Sequence, residues 1–131
     1  MVPSRRDFLA AFGATALVPL ARFEPSNGGA TMYGLIGKIT TTPGQRDAFA
    51  AILLEGTNEM PGCLSYVVAI DPAEPDALWV TEVWDSKASH EASLALPAVR
   101  AAIAKGRAMI AGFSNRVETT PIGGAGLPGS R

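Results

Sequence analysis

Pro61-Gly62-Cys63-Leu64-Ser65-Tyr66-Val67-Val68-Ala69-Ile70 is followed, after a turn through Asp71-Pro72-Ala73-Glu74-Pro75-Asp76, by Ala77-Leu78-Trp79-Val80-Thr81-Glu82-Val83-Trp84. Two runs rich in β-branched and aromatic residues, separated by a short gap with two prolines, read as an antiparallel hairpin. In the first run Leu64, Tyr66, Val68 and Ile70 share one side, and Cys63, Ser65, Val67 and Ala69 share the other. The second run sets Leu78, Val80, Glu82 and Trp84 against Trp79, Thr81 and Val83. Neither side is polar, whereas an antiparallel sheet with one face in water alternates cleanly. Both faces of this hairpin therefore need cover.

Upstream, Tyr33 to Thr41 has strand composition. Thr42-Pro43-Gly44-Gln45 reads as a helix start, with Thr42 as cap, Pro43 at the first helical position and Gln45 completing a capping box. Phe49, Ile52, Leu53, Gly56 and Met60 recur at helical spacing, and Pro61-Gly62 is the expected stop. Downstream, Asp85-Ser86 offers caps for a helix from Lys87 to about Ala95. Pro97 opens a third helix with Val99, Ile103, Gly106 and Ile110 in one stripe, stopped at Gly112. Phe113 to Thr120 is the expected fourth strand. The order β-α-β-β-α-β predicts an α+β, ferredoxin-like fold, a four-stranded antiparallel sheet with helices on one face. Helices cover one side only, so a second copy of the sheet is the expected cover for the other, giving a homodimer through the sheet face, a dimeric α/β barrel.

Composition narrows the chemistry. The chain has 131 residues, enough for one domain. With 47% apolar and 18% charged residues it can build a core and is not a disordered chain. The formal net charge of -1 leaves no basic stripe to neutralise phosphates, so no nucleic acid is expected as a partner. One cysteine, Cys63, excludes an internal disulfide framework and any paired-cysteine metal site. One histidine, His90, excludes a His-rich zinc site, and no metal is expected.

The chain ends have their own character. Ser4-Arg5-Arg6-Asp7-Phe8-Leu9 is a twin-arginine pattern, followed by an apolar stretch from Phe8 to Ala21 that is too short to span about 30 Å of hydrocarbon. Glu24 to Gly29 is a linker by composition. Residues 1–30 are therefore expected to be a signal peptide and linker, and the protein to be exported to the periplasm or outside the cell without a stable membrane anchor. Residues 31–122 form the expected domain, and the Gly/Pro-rich segment 123–131 a flexible tail.

The segment Glu82-Val83-Trp84-Asp85-Ser86-Lys87-Ala88-Ser89-His90-Glu91-Ala92-Ser93-Leu94 carries most of the chemical information. A strand ends in a glutamate and a tryptophan, and a capped helix then presents the one histidine, with Ser93 on the same helical face. His90 has the side chain whose ordinary pKa lies nearest neutrality, which fits a base or a hydrogen-bonding role. Trp84 and Tyr66 offer stacking surface, and Ser93 or Glu82 stands ready to orient His90 or a substrate hydroxyl. Glu82 is also an ion-pair candidate for Arg116 or Lys38, and Trp84 and Tyr66 fit equally well as core or dimer contacts.

Over residues 32–122 the sequence resembles the antibiotic biosynthesis monooxygenase family, whose members include quinol monooxygenases. The resemblance rests on Thr42-Pro43-Gly44, on Pro61-Gly62-Cys63-Leu64-Ser65-Tyr66, on Glu82 with Trp84, and on Leu94 with Pro97. It implies oxygenation of an electron-rich quinol, phenolic or polycyclic aromatic substrate by dioxygen without a cofactor. In that setting the expected catalytic residues are His90, Trp84 and Ser93, and the expected substrate contacts are Tyr66 and Glu82, assigned from their own chemistry and not carried over from the family. Many members carry histidine where this chain has Ser93, and often another where it has Ala98, so this chain resembles a distinct branch. The related haem-degrading branch uses an asparagine near the place of Gly37 and a histidine at that of Leu94, so haem degradation is disfavoured. A non-catalytic small-molecule-binding dimer and an isomerase or decarboxylase on the same scaffold remain alternatives, because fold does not fix function.

Overall fold

A computed structural model describes residues 31–128. The expected signal segment, and the last residues of the expected tail, lie outside the described residues. Strand β1 (Tyr33–Thr41) is followed by helix α1 (Arg46–Gly56), and β2 (Cys63–Ile70) and β3 (Ala77–Trp84) form the hairpin. Two helices, α2 (Lys87–Ser93) and α3 (Pro97–Gly106), and a short 3-10 turn (Arg107–Met109) lead to β4 (Ile110–Thr119). The sheet order is β2-β3-β1-β4, and all three pairings are antiparallel. This is the ferredoxin-like α+β arrangement that the element order predicts. Among the described residues no helix is long and apolar enough to cross a membrane.

The hairpin turn is held by its own side chain. The Asp71 carboxylate accepts the backbone N–H groups of Ala73 and Glu74, at 2.8 and 3.1 Å, and the N–H of Asp71 reaches the Ala77 carbonyl at 3.0 Å. Asp71 also accepts the Trp79 indole N–H at 2.9 Å, and these bonds hold its carboxyl down to about 2.

Several local expectations change. Thr42-Pro43-Gly44-Gln45 is a turn and not the first turn of α1. Gly44 has φ +79, a left-handed value that ends any helix there, and the Gln45 N–H donates back to the Thr42 carbonyl at 3.1 Å. Proline then glycine at the two central positions is the signature of a type II turn. Helix α1 ends at Gly56, well before Pro61-Gly62, which forms a separate turn. Helix α3 stops at Gly106 through the 3-10 turn, so Ile110 and Gly112 belong to β4. Cys63 also changes sides. A register shift between Cys63 and Ser65 inserts Leu64 as an extra residue, and Cys63 packs against the core under the helices.

The core has two apolar clusters on the helix side of the sheet. One gathers Tyr33, Leu35, Met60, Trp84 and Val99, the other Phe49, Leu78 and Val80, and Tyr66 packs against both. The opposite face is not polar: Val67 is 50% exposed and Val117 is 49% exposed. Segment 120–128 has no helix or strand, and its one turn closes from the Leu127 N–H to the Gly124 carbonyl at 3.1 Å.

Helices α1 and α3 meet through small residues. A Cβ built on Gly56 would stand 2.4 Å from the Ala102 Cβ, and one on Gly106 would stand 2.6 Å from the Phe49 ring. At Gly56 the neighbour is a Cβ fixed to the α3 backbone, so a helix must move, whereas at Gly106 the Phe49 ring must give way. Gly56→Ala gains about 1 kcal/mol of helix propensity but overpacks the interface, which costs about 1–3 kcal/mol. Crowding wins because the neighbour includes backbone of α3, with the Ala98 carbonyl at 3.2 Å. The expected outcome is a melting temperature lowered by several degrees in a thermal scan. An unchanged or raised value would show that the helices separate without cost.

Candidate functional site

Strand periodicity places Glu82 and Trp84 on the helix-facing side of β3, and the helix that follows brings His90 over them. Ser86 caps α2, its hydroxyl accepting the Ser89 N–H at 3.1 Å. The start of α2 is seated on the Pro61-Gly62 turn: the Asp85 N–H donates to the Gly62 carbonyl at 2.9 Å, and a Cβ on Gly62 would stand 2.5 Å from the Ser89 hydroxyl. Gly62 has φ +85, so glycine serves both the turn and the close approach. The turn thereby fixes the height of His90 above the sheet.

His90 is 4% exposed and lies between two aromatic rings. The Trp84 ring meets it edge-on, with centroids 5.4 Å apart and planes at 76°, and the Tyr33 ring lies at 5.4 Å and 42°. The imidazole Nε2 is 3.9 Å from Glu82 Oε1. Glu82 Oε1 in turn accepts the Trp84 indole N–H at 2.9 Å. Next to this group the Tyr33 hydroxyl donates to Glu118 at 2.5 Å, and Lys87 Nζ stands 3.8 Å from the same carboxylate.

The electrostatics follow from burial. Burial pushes the His90 pKa down to about 4, helped by the positive charges of Arg116 and Lys87 and opposed by Glu118. The imidazole is therefore neutral at pH 7. Burial raises the Glu82 carboxyl from its ordinary value, against the Trp84 hydrogen bond and the Arg116 charge. Burial also raises the pKa of the Tyr66 and Tyr33 hydroxyls, the latter helped by the hydrogen bond that its O–H donates to Glu118. Glu118, which takes that hydrogen bond, is held below its ordinary value.

A mostly apolar cavity of about 180 Å³ lies between the sheet and the helices, bordered by members of both core clusters. Glu82, His90, Ser93, Tyr66 and Trp84 all border it, so every sequence-predicted site residue reaches one place. Their roles differ from expectation. Ser93 donates its hydroxyl to the His90 backbone carbonyl at 2.6 Å, which fixes the helix turn and not the imidazole. Trp84 is 1% exposed and its N–H is engaged, so it positions Glu82 and His90 more than it offers a stacking face. Lys38 pairs with Asp71 and Glu74 and takes no part with Glu82. Among the described residues, no group of three or more His, Cys, Asp or Glu side chains could hold a metal ion.

Sequence reading missed Tyr33 and named Arg116 only as an ion-pair candidate for Glu82, on which its charge does act. Tyr33 is the cross-strand partner of Trp84, and its place on the helix side follows from Leu35 two residues on. Arg116 also borders the cavity. A regular alternation from Phe113 would put it on the opposite face, and no pattern in the sequence signals the irregularity that brings it inside.

A buried imidazole beside a carboxylate thus borders an apolar hollow on a ferredoxin-like scaffold. The chain belongs to the antibiotic biosynthesis monooxygenase family, whose model matches residues 32–105, more than half of its length. A solved structure from Chloroflexus aurantiacus, described as a candidate antibiotic biosynthesis monooxygenase, is 64% identical, covers 74% of this chain and 99% of its own, and superposes with a TM-score of 0.73. A similarly described protein from Caulobacter crescentus has 19% identity, coverage of 71% and 92%, and a TM-score of 0.64. Protein PA3566 from Pseudomonas aeruginosa has 20% identity, coverage of 71% and 96%, and a TM-score of 0.62. These last two are likenesses of fold. No curated protein matches the chain.

The His90 environment makes stability depend on pH. Its imidazole titrates near 6.5 when unfolded and near 4 when folded. Between those values the unfolded chain binds more protons, so stability falls as pH drops, by up to about 1.4 kcal/mol per pH unit. Glu82, raised by folding, acts in the opposite sense: its contribution is present below its unfolded value and is lost as pH rises through its folded one. Urea midpoints followed from pH 6.5 down toward 4 should fall more steeply in the wild type than in His90→Asn. Equal slopes would show that His90 is not held neutral by the fold.

Proposed function

We propose that the protein is a cofactor-independent monooxygenase that oxidises a small quinol or phenol with dioxygen. The observation that carries this reading is the Glu82–His90 pair, 3.9 Å apart, at the polar end of an apolar cavity. An apolar cavity of about 150 Å³ takes up a benzene ring. A volume of 180 Å³ therefore suits one ring or two fused rings, and a larger polycycle extends into the open mouth.

The chemistry balances without a further reactant. For a phenol with hydrogen opposite its hydroxyl, His90 accepts the hydroxyl proton and the Glu82 carboxylate stabilises the imidazolium. The phenolate gives one electron to dioxygen, and the two radicals combine to form a carbon–oxygen bond. Protonation of the outer oxygen by His90 gives a hydroperoxide. Loss of water, with the ring hydrogen and cleavage of the O–O bond, leaves a quinone. One oxygen atom enters the product and the other leaves as water. The apolar walls keep bulk water away from the anion, which strengthens each electrostatic contact.

One observation favours a second reading. An imidazole with a pKa of about 4 is a weak base, which suits a site that binds an aromatic ligand without reacting it. Oxygen uptake separates the two. Metal-free protein supplied with a panel of dihydroxyarenes should consume oxygen, and His90→Ala should slow consumption roughly 10²–10⁴-fold. Absence of protein-dependent uptake with any of them would favour the binding reading.

The same proposal includes a homodimer through the sheet face, supported by the half-exposed Val67 and Val117 there, and export by the twin-arginine route, supported by Ser4 to Leu9. Sedimentation at micromolar concentration should give a species of twice the chain mass. A stable monomer would overturn the dimer.

A further inference from the structure

Strands β1 and β4 change register between Ile36 and Lys38. Ile36 pairs with Val117 and Lys38 with Ser114, so Gly37 alone faces both Asn115 and Arg116. Asn115 takes up the extra residue at φ +53, a left-handed conformation that asparagine tolerates better than most side chains. Phe113 and Glu118 pair with Ile39 and Leu35, whose side chains face the helices. An unbroken strand would send Arg116 to the far face. The bulge reverses it, and Arg116 borders the cavity. The residue opposite is a glycine, and a Cβ on Gly37 would meet nothing within 4 Å, so space is left beside the guanidinium.

We propose that Arg116, aimed inward by the Asn115 bulge, is the counter-charge that makes this cavity select its aromatic ligand as an oxyanion, the deprotonated form of an acidic phenol. The proposal deepens the reading of the cavity as a ligand site, and it holds whether or not oxygen chemistry follows.

The surrounding charges agree. Glu82 on β3 borders the cavity and accepts from Trp84, while Glu118 on β4, outside the lining, accepts from Tyr33 and stands near Lys87 of α2. The imidazole of His90 is neutral at pH 7 and adds no positive charge of its own. Three cationic residues border the cavity: Lys38 is paired with Asp71 and Glu74, Arg107 is exposed, and Arg116 is half-buried, with a planar fork that suits an oxyanion. The positive charge of Arg116 acts to lower the pKa values of His90, Glu82, Tyr33 and Glu118.

The test uses 4-nitrophenol, whose anion is coloured, and nitrobenzene as its neutral counterpart, titrated into the full protein. The wild type should bind nitrophenolate more tightly than nitrobenzene, and the bound phenol should ionise at lower pH than the free one. Arg116→Gln should weaken nitrophenolate roughly 10–100-fold and leave nitrobenzene within about twofold. Arg116→Lys should recover part of the loss. Gly37→Val, which fills the space without a clash at its Cβ, should weaken both ligands alike and serves as the control for a blocked cavity. Equal weakening of both ligands by Arg116→Gln, or equal wild-type affinity for the two, would overturn the proposal. Oxygen uptake measured on the same samples reports separately on the monooxygenase reading, so either can fail alone.

Discussion

Burial of the Glu82 carboxylate is the constraint that the site depends on. A carboxylate on the helix side of a central strand pays a large desolvation cost unless polar groups meet it. Here the indole N–H of Trp84 meets it directly, the imidazole of His90 stands at 3.9 Å, and the charge of Arg116 acts on it. Each of those groups is placed by a different element, β3, α2 and β4. The carboxylate thus ties the sheet and the helix over it into one electrostatic unit, surrounded by apolar side chains that make every such contact stronger than it would be in water.

That unit is precise because the frame around it is tight. Helices α1 and α3 touch through Gly56 and Ala102, and Gly106 lets the Phe49 ring approach α3 closely. The Pro61-Gly62 turn seats α2 from the other end. Close packing at these three places frames the hollow between sheet and helices. Function therefore resides in what the packing omits as much as in what it contains.

The fold was largely legible because period and composition coincide in it. The β-branched runs around Tyr66 and Val80 are strands in the structure, and the Ser86 cap and Pro97 start open two helices where expected. Errors came where one signal fits two structures. Thr-Pro-Gly serves a helix start as well as a type II turn, and only the positive φ of Gly44 decides. Of the site, Glu82, Trp84, His90 and Tyr66 were readable from type and spacing. The faces of Arg116 and of the core residue Cys63 were not, because an alternating pattern assumes an unbroken pleat. One inserted residue at Leu64 and another at Asn115 reverse the side on which each lands.

Strand β2 sits at the margin of the sheet, bonded to a neighbour along one side only. Its eight residues, Cys63 to Ile70, carry no charge, and Val67 and Ile70 are half exposed. Such a margin invites strand addition from other chains, and an unfolded copy would present the same stretch as seed for cross-β stacking. The prolines at 61 and 72 and Asp71 bracket the stretch, and the irregularity at Leu64 bends it. These flanking breakers act as gatekeepers, confining the adhesive length to what folding can hide.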